Sequence, residues 1–120
     1  MIINDFLLRK KSAELCAQKN EKMSIQINKN PDPAIIENKG NKLYLIKDFS
    51  MSIVSEKMNI AAISLVFQCE VLLEDGEEFN SDIFSFYFMP ILYSQISQLL
   101  AEMRLPLFSL SDFIKFANCD

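Results

Sequence analysis

The stretch PILYSQISQLLAEMR, Pro90 to Arg104, decides how the rest of the chain is read. Leu92, Ile96, Leu99, Leu100 and Met103 recur at the spacing of one buried helical face, with Ser94, Gln95, Gln98 and Glu102 filling most of the remainder. Pro90 suits a first helical position, where a missing N–H costs nothing. Leu105-Pro106 is the expected stop, because a residue before proline avoids the α region. Most of what precedes this helix reads as strand, so the helix is the natural cover for a sheet with one apolar face.

Working back from the helix, Phe79–Met89 is an aromatic-rich segment (Phe79, Phe84, Phe86, Tyr87, Phe88) expected to connect sheet and helix. Before it, Glu74–Glu78 is an acidic turn around Gly76. Ile60–Glu74 is the clearest strand: Ile63, Leu65, Phe67, Cys69, Val71 and Leu73 line one face, and Ser64, Gln68, Glu70 and Glu74 mark the other. Lys42–Ser55 alternates likewise through Leu43, Leu45, Phe49, Met51 and Ile53. Lys47 breaks that parity, and a bulge near Lys47-Asp48 is the expected cause. Glu56–Asn59 is the expected hairpin connection.

Asn38–Asn41 and Asn30–Pro33 are turn signals, with a loop or short edge between them. Met23, Ile25 and Ile27 make Lys22–Asn28 a half-buried strand, preceded by a turn at Asn20-Glu21. Phe6–Ala17 fits a strand or a short helix, and the strands that follow favour strand. Beyond Pro106, Leu107–Asp112 reads as extended, with Ser111 as cap of a short helix carrying Phe113, Ile114 and Phe116. The expectation is an α+β fold: a single domain, 1–120, with a four-stranded antiparallel sheet and a long helix plus a short C-terminal helix packed on one face.

Composition narrows the function. The chain is half apolar, with ten Phe, more than a small core is expected to hide; oligomerisation or an apolar binding surface would absorb the surplus. Net charge is −4, and the only basic cluster is Arg9-Lys10-Lys11, which argues against nucleic acid. Ile83–Tyr93 is too short a run to span a bilayer, so no membrane insertion is expected. The basic residues follow the first apolar ones, unlike a signal peptide, and three isolated cysteines suit a reducing cytoplasm.

There is no His, no Cys-x-x-Cys and no Gly-rich phosphate loop, so no cofactor, no metal and no catalytic residue is expected. The Glu74–Glu78 run lacks calcium-loop spacing and reads as a solvated turn. Glu70 and Glu74 read as solvent-side residues of one strand, and Cys69 as a buried, inert thiol.

The order of these pieces resembles the SecB family of bacterial export chaperones. The residues concerned are the strand motif Phe67-Gln68-Cys69-Glu70-Val71, Pro90-Ile91-Leu92 opening a helix, Arg104-Leu105-Pro106-Leu107, then Ser109-Leu110-Ser111, Phe113 and Phe116. The likeness spans Leu43–Phe116. It implies an ATP-independent chaperone that holds unfolded or precursor polypeptides in an apolar groove and assembles as a dimer or tetramer. It also implies delivery to the translocase motor SecA through an acidic patch, for which Glu70 and Glu14 are the matching positions. Gln68 stands where the family has leucine, and the turn after Arg104 lacks the family's glycine. The family's C-terminal tail is missing from the sequence. These departures favour as alternative a dedicated chaperone or adaptor of one partner, such as an antitoxin or secretion substrate. Phe49, Phe79, Phe84, Phe86, Phe88 and Leu92 are the expected groove wall, since holding unfolded chains takes many weak apolar contacts.

Overall fold

The computed structural model describes residues 1–16, 23–28, 30–55 and 58–118, with side chains described as far as residue 115. The turn expected at Asn20-Glu21 and Cys119 lie outside the described residues, as do residues 56 and 57 of the expected Glu56–Asn59 connection. Five strands, β1 (Ile2–Leu15), β2 (Ser24–Ile27), β3 (Ala34–Lys39), β4 (Lys42–Ser55) and β5 (Met58–Leu72), precede two helices, α1 (Ser81–Glu102) and α2 (Leu110–Asn118).

The sheet is antiparallel, ordered β1-β5-β4-β2, with β3 also paired to β4. The expected count was four. The fifth strand arises because β2 and β3 share one edge of β4: β2 faces Met51–Val54 and β3 faces Lys42–Ile46. Asn30–Pro33 divides them, since proline cannot continue a ladder. The side chain of Asn30 bridges the gap. Its Oδ1 accepts from the Ser50 backbone N–H at 2.8 Å, and its Nδ2 donates to the Asn28 carbonyl at 2.9 Å.

No register shift occurs near Lys47; β4 runs past β5 in step from Lys42 to Ile53. Lys47 tolerates its apolar parity because it lies beside the β2/β3 gap. There its Nζ reaches the Pro31 carbonyl at 2.7 Å, and the stem stays half-buried. Burial lowers its pKa, against the pull of Asp32 and Asp48. Gly40, at φ +63°, opens the two-residue β3–β4 hairpin, the position at which a tight hairpin turn takes glycine.

The odd-numbered residues of β4 and β5, from Leu43 and Leu45 to Phe67, Cys69 and Val71, form the buried face under the helices. β5 has 15 residues, which at about 3.3 Å each matches the 51 Å long axis of the molecule. The 22 residues of α1 reach only about 33 Å at 1.5 Å per residue, so one helix cannot cover that sheet. α2 covers the β2 end, where Phe113 packs against Phe49 and Tyr93.

α1 begins at Ser81, not at Pro90. Asn80 caps it by accepting from the Asp82 and Ile83 N–H groups at 2.9 and 3.1 Å. Phe84 and Phe88 extend the Leu92–Ile96 face backwards at helical spacing, so the supposed connection is the first two turns of the helix. Pro90 sits in the helix interior but on its exposed side, and it lacks the N–H that would bond the carbonyl four residues back. At the other end the Leu105 N–H bonds the Leu100 carbonyl and the Arg104 N–H bonds the Ala101 carbonyl. That cap needs a left-handed residue, and Arg104 (φ +56°) fills the place glycine usually takes. α2 is capped by Ser109 and not Ser111; its Oγ accepts from the Asp112 N–H at 3.1 Å.

Candidate functional site: exposed apolar residues on β1 and α1

Of the six residues expected to wall a groove, Phe49, Phe84, Phe88 and Leu92 are buried in the protomer core. Phe67 meets Phe88 edge-on, Phe88 stacks on Phe84, and Phe84 contacts Phe79. These side chains fasten helix to sheet, and a client on the surface of this conformation would not touch the buried four. Phe79 is half-buried and Phe86 is 76% exposed.

The structure adds residues that the sequence reading missed. On α1, Ile83, Phe86, Tyr87 and Pro90 are exposed at i, i+3, i+4 and i+7, a second apolar stripe opposite the buried one. On β1, Ile2 and Leu7 are 63% and 60% exposed, and Phe6 is exposed beside them. Both groups lie at the same end of the sheet. Ile2 pairs with Leu72, close to where the chain enters α1, and Phe88 lies over Phe67, the partner of Leu8. α1 then runs toward Lys11, whose Nζ is 3.8 Å from the Glu102 carboxylate. By length and composition α1 also meets the requirement for crossing a bilayer, but one of its faces is committed to the sheet.

β1 is an edge strand, paired among the described residues only with β5. Extra residues at Asn4 and Arg9 interrupt its register. Each bulge flips the parity, so the residues opposite the buried side of β5 are Ile3, then Phe6 and Leu8, then Lys11, Ala13 and Leu15.

The two acidic candidates share the outer sheet face but not a patch. Glu14 pairs with Ala62, eight residues along β5 from Glu70, or about 26 Å at 3.3 Å per residue. Glu14 is exposed. Glu70 is engaged: it accepts from the Asn4 side-chain amide and from Tyr44, with the Lys42 Nζ at 3.7 Å. Those donors, Asn4 first and then Tyr44, hold its pKa below the usual carboxylate value. Cys69 is buried, and burial, with Asp5 adding to it, raises its pKa to about 11, which leaves a protonated thiol. Among the described residues no group of three or more Cys, Asp or Glu is arranged to hold a metal ion.

No protein-family model matches the sequence, and no curated protein matches it. Among solved structures, the chain is similar to the Mycobacterium tuberculosis Rv1957 SecB-like chaperone in complex with a ChAD peptide from the Rv1956 HigA1 antitoxin. The TM-score is 0.71 at 14% identity, over 89% of this chain and 85% of that one. The fold is SecB-like. The resemblance read from Phe67–Val71 and the proline-containing helix is therefore correct for the fold. At this identity the likeness shows shape and not membership of the bacterial export family.

Proposed function

We propose that this protein is an ATP-independent holdase for unfolded or precursor polypeptides, working in the cytoplasm as a dimer or tetramer. The observation behind this reading is the exposed apolar stripe Ile83, Phe86 and Tyr87 on α1, on the side of the helix away from the sheet. An uncovered apolar stripe on a small domain marks a surface open to a partner. Each contact contributes only about 1.5–3 kcal/mol on full burial, so several shallow sites suit an extended chain of varied sequence. The chaperone of the same fold, seen with an antitoxin peptide, supports the class of ligand.

The test is fluorescence anisotropy of a labelled, unstructured peptide rich in Leu and Phe. Saturable binding without nucleotide, weakened at least tenfold by Phe86→Ser, is the expected result. Binding equal in both proteins would defeat the proposal.

A second reading, a dedicated chaperone or adaptor of one partner such as an antitoxin, is favoured by Glu70. Its carboxylate is already engaged by Asn4, Tyr44 and Lys42, and Glu14 lies far along the sheet, so the two expected SecA positions do not sit together. Affinity capture from the source cell separates the two. Many clients with SecA among them support general export, whereas one stoichiometric partner supports the dedicated role.

A further inference from the structure

The outer sheet face carries one cluster in which three strands converge on a single carboxylate. Glu70 on β5 receives the Asn4 amide from β1 on one side, and Tyr44 and Lys42 from β4 on the other. Asn4 is the extra residue of the first bulge in β1, lying between the Ile3–Val71 and Asp5–Glu70 pairs. A bulged residue is missing from the ladder, so its side chain is free to make a bond that the backbone does not. Asp5 faces Glu70 directly, a like-charge pair that works against pairing. The donors around Glu70 offset it. Among the described residues, Glu37, opposite Tyr44, and Lys39, 3.2 Å from Glu37, lie on this part of the face, and at the start of β1 the Met1 ammonium pairs with the Glu77 carboxylate at 2.9 Å. The helices lie on the opposite face.

We propose that Glu70 is a positioning residue that clasps the N-terminal bulge of β1 to the sheet, so that losing or protonating its carboxylate releases residues 2–8 while the rest of the sheet stays closed. Those residues carry Ile2, Phe6 and Leu7, and the clasp therefore sets how the exposed apolar edge is presented. Only the outer-face geometry is used, and the proposal holds or fails independently of the holdase reading.

The experiment is amide exchange by NMR on the full chain, with protection factors corrected for intrinsic rates, for wild type, Asn4→Ala, Glu70→Ala and the double variant. Each single change is expected to lower protection over residues 2–8 at least tenfold and leave residues 61–67 unchanged. The double variant is expected to add nothing to Glu70→Ala, because the Asn4–Glu70 bond is already lost there. With Glu77→Gln in the background to remove the Met1–Glu77 pair, protection of residues 2–8 should fall on acidification below the usual carboxylate value, and adding Glu70→Ala should abolish that step. Unchanged protection in Asn4→Ala, additive losses, or losses spread equally over β4 and β5 would overturn the proposal. An acid step in the Glu77→Gln background that persists when Glu70→Ala is added would also overturn it.

Discussion

Phe88 of α1 meets Phe67 of β5 edge to face, with ring centroids 4.9 Å apart and planes at 85°, and both rings are buried. This is the joint between the central strand and the covering helix. Phe88→Ala is expected to cost about 3–5 kcal/mol, the range for deleting a buried aromatic ring, read from urea unfolding. A loss below about 1 kcal/mol would show that the helix is held elsewhere.

Phe86 is the contrasting case, two residues away and 76% exposed. Phe86→Ala is expected to shift stability by less than about 0.5 kcal/mol in the same urea titration, as surface changes do. A loss of the size expected for Phe88→Ala would mean that this ring is packed in solution, against a partner copy or otherwise.

The start of α1 gives two opposed expectations. Asn80→Ala removes the acceptor of two backbone N–H groups and should cost about 0.5–2 kcal/mol. Pro90→Ala restores an interior N–H and should raise stability by about 1–3 kcal/mol, since proline is the poorest interior residue. Thermal unfolding followed by far-UV circular dichroism measures both. A destabilised Pro90→Ala protein would contradict a helix running unbroken through that position.

Acid sensitivity follows from two carboxylates. Glu70, through Asn4 and Tyr44, and Glu77, through the Glu74 backbone N–H and the Met1 ammonium, lie below the ordinary value of 4.5. In that window the unfolded chain binds more protons, so stability rises with pH there. The contribution is complete above the unfolded value and disappears as pH falls through the folded ones. The urea midpoint should hold from neutral pH down to about 5 and then decline, and Glu70→Gln with Glu77→Gln should flatten the decline. Identical acid profiles for the two proteins would contradict this assignment.

The strands that were legible in the sequence are those whose alternation is uninterrupted. β4 and β5 keep one parity over nearly their whole length, and most of their buried residues are those the pattern gives; Ser55, Ile60 and Ala61 are buried beyond it, and Leu73 is only partly buried. β1 was ambiguous because its bulges at Asn4 and Arg9 flip parity twice, which erases the period that marks a strand. The start of α1 was hidden because its first turns are apolar on both sides. Phe84 and Phe88 continue the buried face while Ile83, Phe86 and Tyr87 face out, leaving no amphipathic contrast. The same feature hid which of the six expected wall residues are buried. Ring-rich sequence does not say which rings are buried, and only the helical phase starting at Asn80 separates Phe84 and Phe88 from Phe86.

Suppression of aggregation tests the central claim most directly. A chemically denatured client is diluted into buffer without nucleotide, with wild-type protein or the Phe86→Ser, Tyr87→Ser double variant, and light scattering is followed. Wild type is expected to suppress scattering near equimolar ratio. The double variant should keep its unfolding midpoint and lose most of the suppression. Scattering unchanged by wild type, or suppressed equally by the variant, would contradict the account.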